Sequence, residues 1–180
     1  MPDGLRYQAD FLSADEEKGL IEAFATLPLV PFQFGAFEGK RRVASFGVRY
    51  DFSDQRLHEA GAFPAFVTPF AKRAESFGGL VAGSIRHVLF TEYAIDAGIG
   101  WHRDKAAFDV VLGISLGSVC PFRFRRKAGT GWTRYTLDAE PRSIYLMDGE
   151  ARSIWEHSIA PVVQPRWSIT FRTMAPQATG

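Results

Sequence analysis

Residues 166–172, Arg166-Trp167-Ser168-Ile169-Thr170-Phe171-Arg172, decide the reading of the fold. In an extended chain successive side chains point to opposite sides, so Arg166, Ser168, Thr170 and Arg172 share one face and Trp167, Ile169 and Phe171 the other. One face is polar and one apolar, as in a strand of an inner β layer. A polar stripe in that layer needs a ligand to satisfy it, and a dicarboxylate can accept paired N–H bonds from a planar guanidinium. Six residues span about 20 Å on a straight strand, so both arginines reach one small molecule only if their side chains lean inward or the strand curves. Arg166 is the firmer anchor.

Upstream of this segment, strand-like runs follow one another from Gly79 onward with turn residues between them, at 84–93, 109–116, 121–126, 132–137, 142–147 and 157–163, before 166–174. Their short, regular spacing predicts a sandwich or jelly roll and excludes a succession of βαβ units. The first 79 residues read differently. Ser13-Ala14-Asp15-Glu16 is a capping box that opens a helix, with Leu20, Ile21, Phe24 and Leu27 on one face until Pro28. A second helix is expected from about Pro64 to Phe77, with Gly78-Gly79 as its stop. Between them, residues 40–52 alternate around Gly47 as one or two strands beside a turn. The class is therefore mostly β (α+β).

The 180 residues fit one domain, with a mobile tail over 175–180. Twenty-five aromatic residues, 16 of them Phe, suit a thick β core. With 21 Lys and Arg against 20 Asp and Glu, affinity for a polyanion has to come from a local patch. The single cysteine, Cys120, asks for no oxidising compartment, and no export or membrane signal is visible, so a cytoplasmic monomer is the expectation.

Of the four histidines, only His102 opens an H-x-D, His102-Arg103-Asp104. On an extended segment these two side chains point to the same side and can occupy neighbouring positions around one ion. A second imidazole from another strand would complete a two-histidine, one-carboxylate facial triad, which leaves positions open and suits non-haem Fe(II). His157 is the natural candidate. His58 and His87 read as structural, and Glu156 should point away from His157 by strand alternation.

Over residues 80–174 the sequence resembles the AlkB family of Fe(II)- and 2-oxoglutarate-dependent dioxygenases. The resemblance rests on Tyr93 nine residues before the H-x-D, on His102 and Asp104, on Gly113-Ile114-Ser115-Leu116-Gly117, on His157, and on Arg166 with Arg172. It implies a double-stranded β-helix (jelly roll, cupin-like) core over 80–174, with N-terminal helices packed against it and residues 1–79 forming a substrate lid, the whole of 1–174 being one domain. It implies Fe(II) held by His102, Asp104 and His157. The co-substrate 2-oxoglutarate would chelate that iron, Arg166 would pair with its distal carboxylate, and Arg172, Tyr93 and the residue at Thr91 would help to hold it. The chemistry implied is the use of O2 to convert 2-oxoglutarate to succinate and CO2 while a substrate C–H is hydroxylated. An N-methyl group treated in this way leaves as formaldehyde, so alkylated DNA or RNA is the substrate implied.

Two positions depart from the family pattern. Thr91 stands where nucleobase-directed members commonly carry Asn, and Ala106 where several carry an acid that contacts the damaged base. Asp109 or Glu92 could read the base instead, and Phe108 or Trp101 could stack on it. In 121–127, PFRFRRK, Phe122 and Phe124 alternate with Arg123 and Arg125; this stripe reads either as a charged edge that discourages sheet pairing or as a nucleic-acid groove. Lys40-Arg41-Arg42 is a second basic cluster. Two further functions stay open: the same chemistry on a methylated protein side chain or small N-alkyl compound, and a non-catalytic nucleic-acid-binding β module.

Overall fold

The computed structural model of the chain describes residues 1–34, 37–51 and 56–176, without the side chains of residues 34, 37, 49–51, 56 and 57; the end of the expected tail, 177–180, lies outside the described residues. In chain order the elements are β1 (Leu5–Gln8), α1 (Ala14–Phe24), β2 (Val30–Phe34), β3 (Phe37–Asp51), β4 (Arg56–Glu59), a 3-10 turn (Ala65–Val67), α2 (Thr68–Gly78), β5 (Ile85–Tyr93), β6 (Ile99–His102), β7 (Phe108–Leu116), β8 (Cys120–Ala128), β9 (Gly131–Ala139), β10 (Ser143–Met147), α3 (Gly149–Ser153), β11 (Glu156–Ile159) and β12 (Arg166–Met174).

Among the described residues the strands form two antiparallel sheets. The major sheet runs β1-β10-β7-β12-β5-β3-β2, with β4 added to β3, and the minor sheet runs β6-β11-β8-β9. Facing one another, they make a double-stranded β-helix. Strand alternation gives the major sheet two apolar faces. Its back, with Phe90, Leu112, Ile114, Leu146, Ile169 and Phe171, is covered by Leu20 and Phe24 of α1 and Ala71 and Ala74 of α2. Its front, with Tyr93, Val111, Tyr145 and Met147, meets Phe122, Phe124, Leu137 and Ile159 of the minor sheet. The polar side chains of β12 open into this second core.

The capping box forms as read: Ser13 Oγ accepts from the Glu16 N–H at 3.1 Å, and the Ser13 N–H donates to Glu16 Oε2 at 2.9 Å. The helix it starts stops at Phe24 rather than Leu27, because the next three N–H groups turn to carbonyls three residues back. Pro69 sits in the first turn of α2, where a missing N–H costs no helical bond, and Gly79 ends it at φ 65°. Gly47 proves to be no hairpin turn. β3 is continuous through it, pairing with β5 as far as Gly47 and with β4 from Val48. At φ 85°, and with no room for a Cβ beside the Arg86 carbonyl, that pivot needs glycine. β11 ends at Ile159, short of the predicted 163, because the Val162 N–H turns to Ala97.

Candidate functional site

β6 and β11 pair so that His102 lies directly opposite His157. This register brings the two imidazoles to a centroid separation of 4.3 Å at 61°. Asp104, two residues past the end of β6, turns back under them, and its Oδ2 is 3.5 Å from His157 Nε2. From the major sheet Arg172 reaches across and donates from Nη2 at 2.8 Å and Nε at 3.2 Å, both to Asp104 Oδ1. The Oδ2 oxygen is thus left facing His157.

Protonation states follow from these contacts. Burial alone would raise the Asp104 pKa, but Arg172, then His157 and His102, hold the carboxyl well below the usual carboxylate range. Burial pushes His157 down to about 4 against the pull of Asp104, so its imidazole is neutral at pH 7. His102 Nδ1 lies 2.9 Å from the Gly100 carbonyl; donating there leaves Nε2 as the free lone pair. One carboxylate and two imidazoles are the donor set of a facial triad for a divalent metal. The donors are gathered without being closed into a cage: among the described residues no three His, Cys, Asp or Glu side chains stand in full metal-holding geometry.

The other end of the stripe holds Arg166, 1% exposed. Its Nε donates to Ser115 Oγ at 3.2 Å, its guanidinium lies 4.8 Å from the Tyr93 ring centre, and its buried Nη1 has no partner among the described residues. Tyr145 and Cys120 lie close by, but burial pushes that phenol and that thiol up, so neither carries a balancing charge. A permanent cation buried with no anion beside it among the described residues is a strong electrostatic demand, and a carboxylate answers it. Thr91, 3% exposed, lies across from Ser168 in the same inner row. The residues therefore fit both a divalent metal at one end and a dicarboxylate anchored at the other.

An open cleft of about 590 Å³ leads to Asp104, lined among others by Arg103, Ala106, Phe108, Asp109 and Arg152. Phe108 packs its ring 5.0 Å from His87, and His87 Nδ1 lies 3.3 Å from Arg172 Nη1. Arg152 bonds the carbonyls of Lys105 and Phe108 and so fixes the loop that carries Asp104. No local pattern signals this role, since the partners of Arg152 are backbone atoms more than 40 residues away.

The remaining substrate candidates part company here. Asp109 lines the cleft, whereas Glu92 points outward, bonded to Arg42 at 2.6 Å and to the Trp167 indole N–H. Trp101 also fails to face the cleft: strand alternation turns it to the opposite side of β6 from His102, where it stacks on Arg123 and Arg125. These arginines belong to the outer face of the minor sheet, with Arg123 donating to Ser158 and Arg125 paired with Glu156 at 2.6 Å. The Lys40-Arg41-Arg42 cluster is divided, because Arg41 stacks on Phe32 and bonds the Gly98 carbonyl while Arg42 pairs with Glu92.

Comparison with known proteins agrees with this arrangement. The family profile of the 2OG-Fe(II) oxygenase superfamily matches residues 4–172. The "Alkylated DNA repair protein ALKBH8 homolog" of Arabidopsis thaliana is 29% identical over 180 residues, covering 87% of this chain and 50% of that protein. The "tRNA (carboxymethyluridine(34)-5-O)-methyltransferase ALKBH8" of Mus musculus is 27% identical, covering 89% of this chain and 25% of that one. The chain thus spans half or less of the length of these relatives. Among solved structures, OsALKBH1 superposes with a TM-score of 0.71 at 16% identity, covering 96% of this chain and 97% of that one.

Proposed function

The chain belongs to the 2OG-Fe(II) oxygenase superfamily, as an AlkB-like member, and we propose that it removes N-alkyl groups oxidatively from bases of DNA or RNA. The observation that carries the co-substrate half of this reading is Arg166, buried without an anion at one end of a polar stripe whose other end is the His102, Asp104 and His157 cluster. The substrate half draws on the relatives, one named for alkylated DNA repair and one for tRNA modification.

In this reading His102, Asp104 and His157 hold Fe(II), Arg166 with Tyr93 receives the distal carboxylate of 2-oxoglutarate, and Thr91 lines that chamber. Bound together, Fe(II), 2-oxoglutarate and O2 supply a hydroxylating oxidant, with succinate and CO2 as by-products. The chain's own part is positional. Arg172 keeps Asp104 ionised and fixes its rotamer, the Gly100 carbonyl sets the His102 tautomer, and Phe122 and Phe124 pack around His157 to keep bulk water from it. Phe108 and Asp109 at the cleft would stack on and hydrogen-bond an extruded base, and the paired strands β2 and β3 at the edge of the major sheet would serve as the lid; α1 and α2, which the N-terminal lid was expected to include, cover the back of that sheet instead.

Ala106 at the cleft favours a second reading, the same oxidation of a methylated protein side chain or small N-alkyl compound, because no acid stands there to read a base. Succinate and formaldehyde release, measured with Fe(II) and 2-oxoglutarate on N-methylated single-stranded DNA and RNA, separates the two. Stoichiometric formaldehyde with either nucleic acid establishes the demethylase. Basal succinate that neither raises moves the substrate to proteins or small molecules, and no succinate under any condition removes the dioxygenase.

A further inference from the structure

The register of the major sheet arranges its inner face in rows. Arg166 lies opposite Tyr93, and Ser168 stands with Thr91 and Ser115. Thr170 stands with Leu89 and Gly113, and Arg172 with His87 and Val111. β10 extends these rows, placing Tyr145 opposite Gly113. Of the two rows between the arginines, the one nearer Arg172 therefore holds a glycine flanked by Thr170 on one side and a tyrosine on the other.

That glycine is where the Tyr145 side chain lies. A Cβ on Gly113 would fall 2.2 Å from Tyr145 Cζ and 2.3 Å from its Oη, so the tip of the phenol, and not merely its root, crosses β7 towards β12. Phe122 holds the ring from the minor sheet at a centroid distance of 4.7 Å. The hydroxyl thereby enters the stripe between Arg166 and Asp104, and both charges act on it, Arg166 the more strongly. Burial keeps it protonated and therefore a donor. Tyr145 is 6% exposed. For packing alone a phenylalanine would serve, without a hydroxyl that wants a partner.

We propose that Tyr145 binds the co-substrate directly, donating a hydrogen bond to the carboxylate that Arg166 neutralises, and that Gly113 is the positioning residue that lets the phenol reach it. This rests on the 2-oxoglutarate reading above. A bond from a neutral donor to a buried carboxylate belongs to the stronger class, and its loss should weaken binding about tenfold.

The test is calorimetric binding of 2-oxoglutarate to the Ni(II)-loaded chain, which needs no turnover, with 2-oxopentanoate as a ligand of equal length lacking the distal carboxylate. Tyr145→Phe should raise the 2-oxoglutarate Kd about tenfold while leaving 2-oxopentanoate binding, Ni(II) affinity and the melting temperature unchanged. Gly113→Ala should weaken 2-oxoglutarate binding in the presence of Tyr145 and have less than a twofold effect in a Tyr145→Leu background. Unchanged affinity in Tyr145→Phe, or equal weakening towards both acids, overturns the assignment. A wild-type chain that holds Ni(II) yet does not bind 2-oxoglutarate overturns instead the co-substrate reading beneath it, and Tyr145 falls with it.

Discussion

Arg172 gives two of its nitrogens, Nε and Nη2, to one oxygen of Asp104, Oδ1, and leaves Oδ2 turned towards His157. The carboxylate is held by one oxygen and offered by the other, so its orientation is set before any metal arrives. Arg172→Lys keeps the charge and loses the two-point grip. We expect metal affinity to fall about 10- to 100-fold with the fold intact, as measured by Co(II) or Ni(II) calorimetry. Unchanged affinity would show that the loop fixed by Arg152 suffices to aim Asp104.

Arg166 makes the opposite demand, as a cation sealed in without an acid. Replacing it by Met should leave the ligand-free protein as stable or more stable, by about 1 kcal/mol or 2–4 °C in Tm, because no ion pair is lost and a buried charge is removed. The same variant should lose 2-oxoglutarate binding. A lower Tm together with retained binding would contradict both halves.

His87 links the site to acid stability. Burial, reinforced by Arg172, pushes its pKa down to about 3, below the ordinary 6.5. The unfolded chain therefore takes up this proton first: the stability tied to neutral His87 is complete above about pH 6.5 and drains away as pH falls towards 3. His87→Gln should lose about 2 kcal/mol less than wild type between pH 7 and 4.5. Urea midpoints at the two pH values check this, and equal losses would mean His87 is not the group responsible.

On the outer face of the minor sheet the Arg125 guanidinium lies between Trp101 at 4.4 Å and Trp132 at 4.1 Å, with Lys127 beyond it at 4.9 Å from Trp132. Arg125 is spent on Glu156, so phosphate contact would fall to Lys127 and to Arg134, which lies across from Arg125. If the face tracks a single strand, replacing both by Ala flattens the log–log salt dependence of binding by about 1.4. A slope that does not move would identify the stripe as edge protection.

Local alternation made much of this legible in the sequence. The limits of β12 are those read from its pattern, and the histidine of the H-x-D lies opposite its distant partner histidine in the minor sheet. Pairings between distant segments were not legible. β1 is four residues long and exists because Leu5 finds Met147. Gly47 carries a turn signal that the fold spends on a change of sheet partner. Trp101 sits beside His102 in sequence, yet the pleat that presents the histidine to the site turns the indole away. Tyr145 carries no motif, and only the register of β7 against β10 makes it the neighbour of Gly113.

The pairing of His102 with His157 also sets a clock. Fifty-five positions separate them, so at about 5–20 residues per second a ribosome needs roughly 3 to 11 seconds to follow the first imidazole with the second. Arg172, the clamp on Asp104, emerges later still. Until the second imidazole has emerged and β11 has paired with β6, the growing chain has no pair of facing imidazoles to offer an ion.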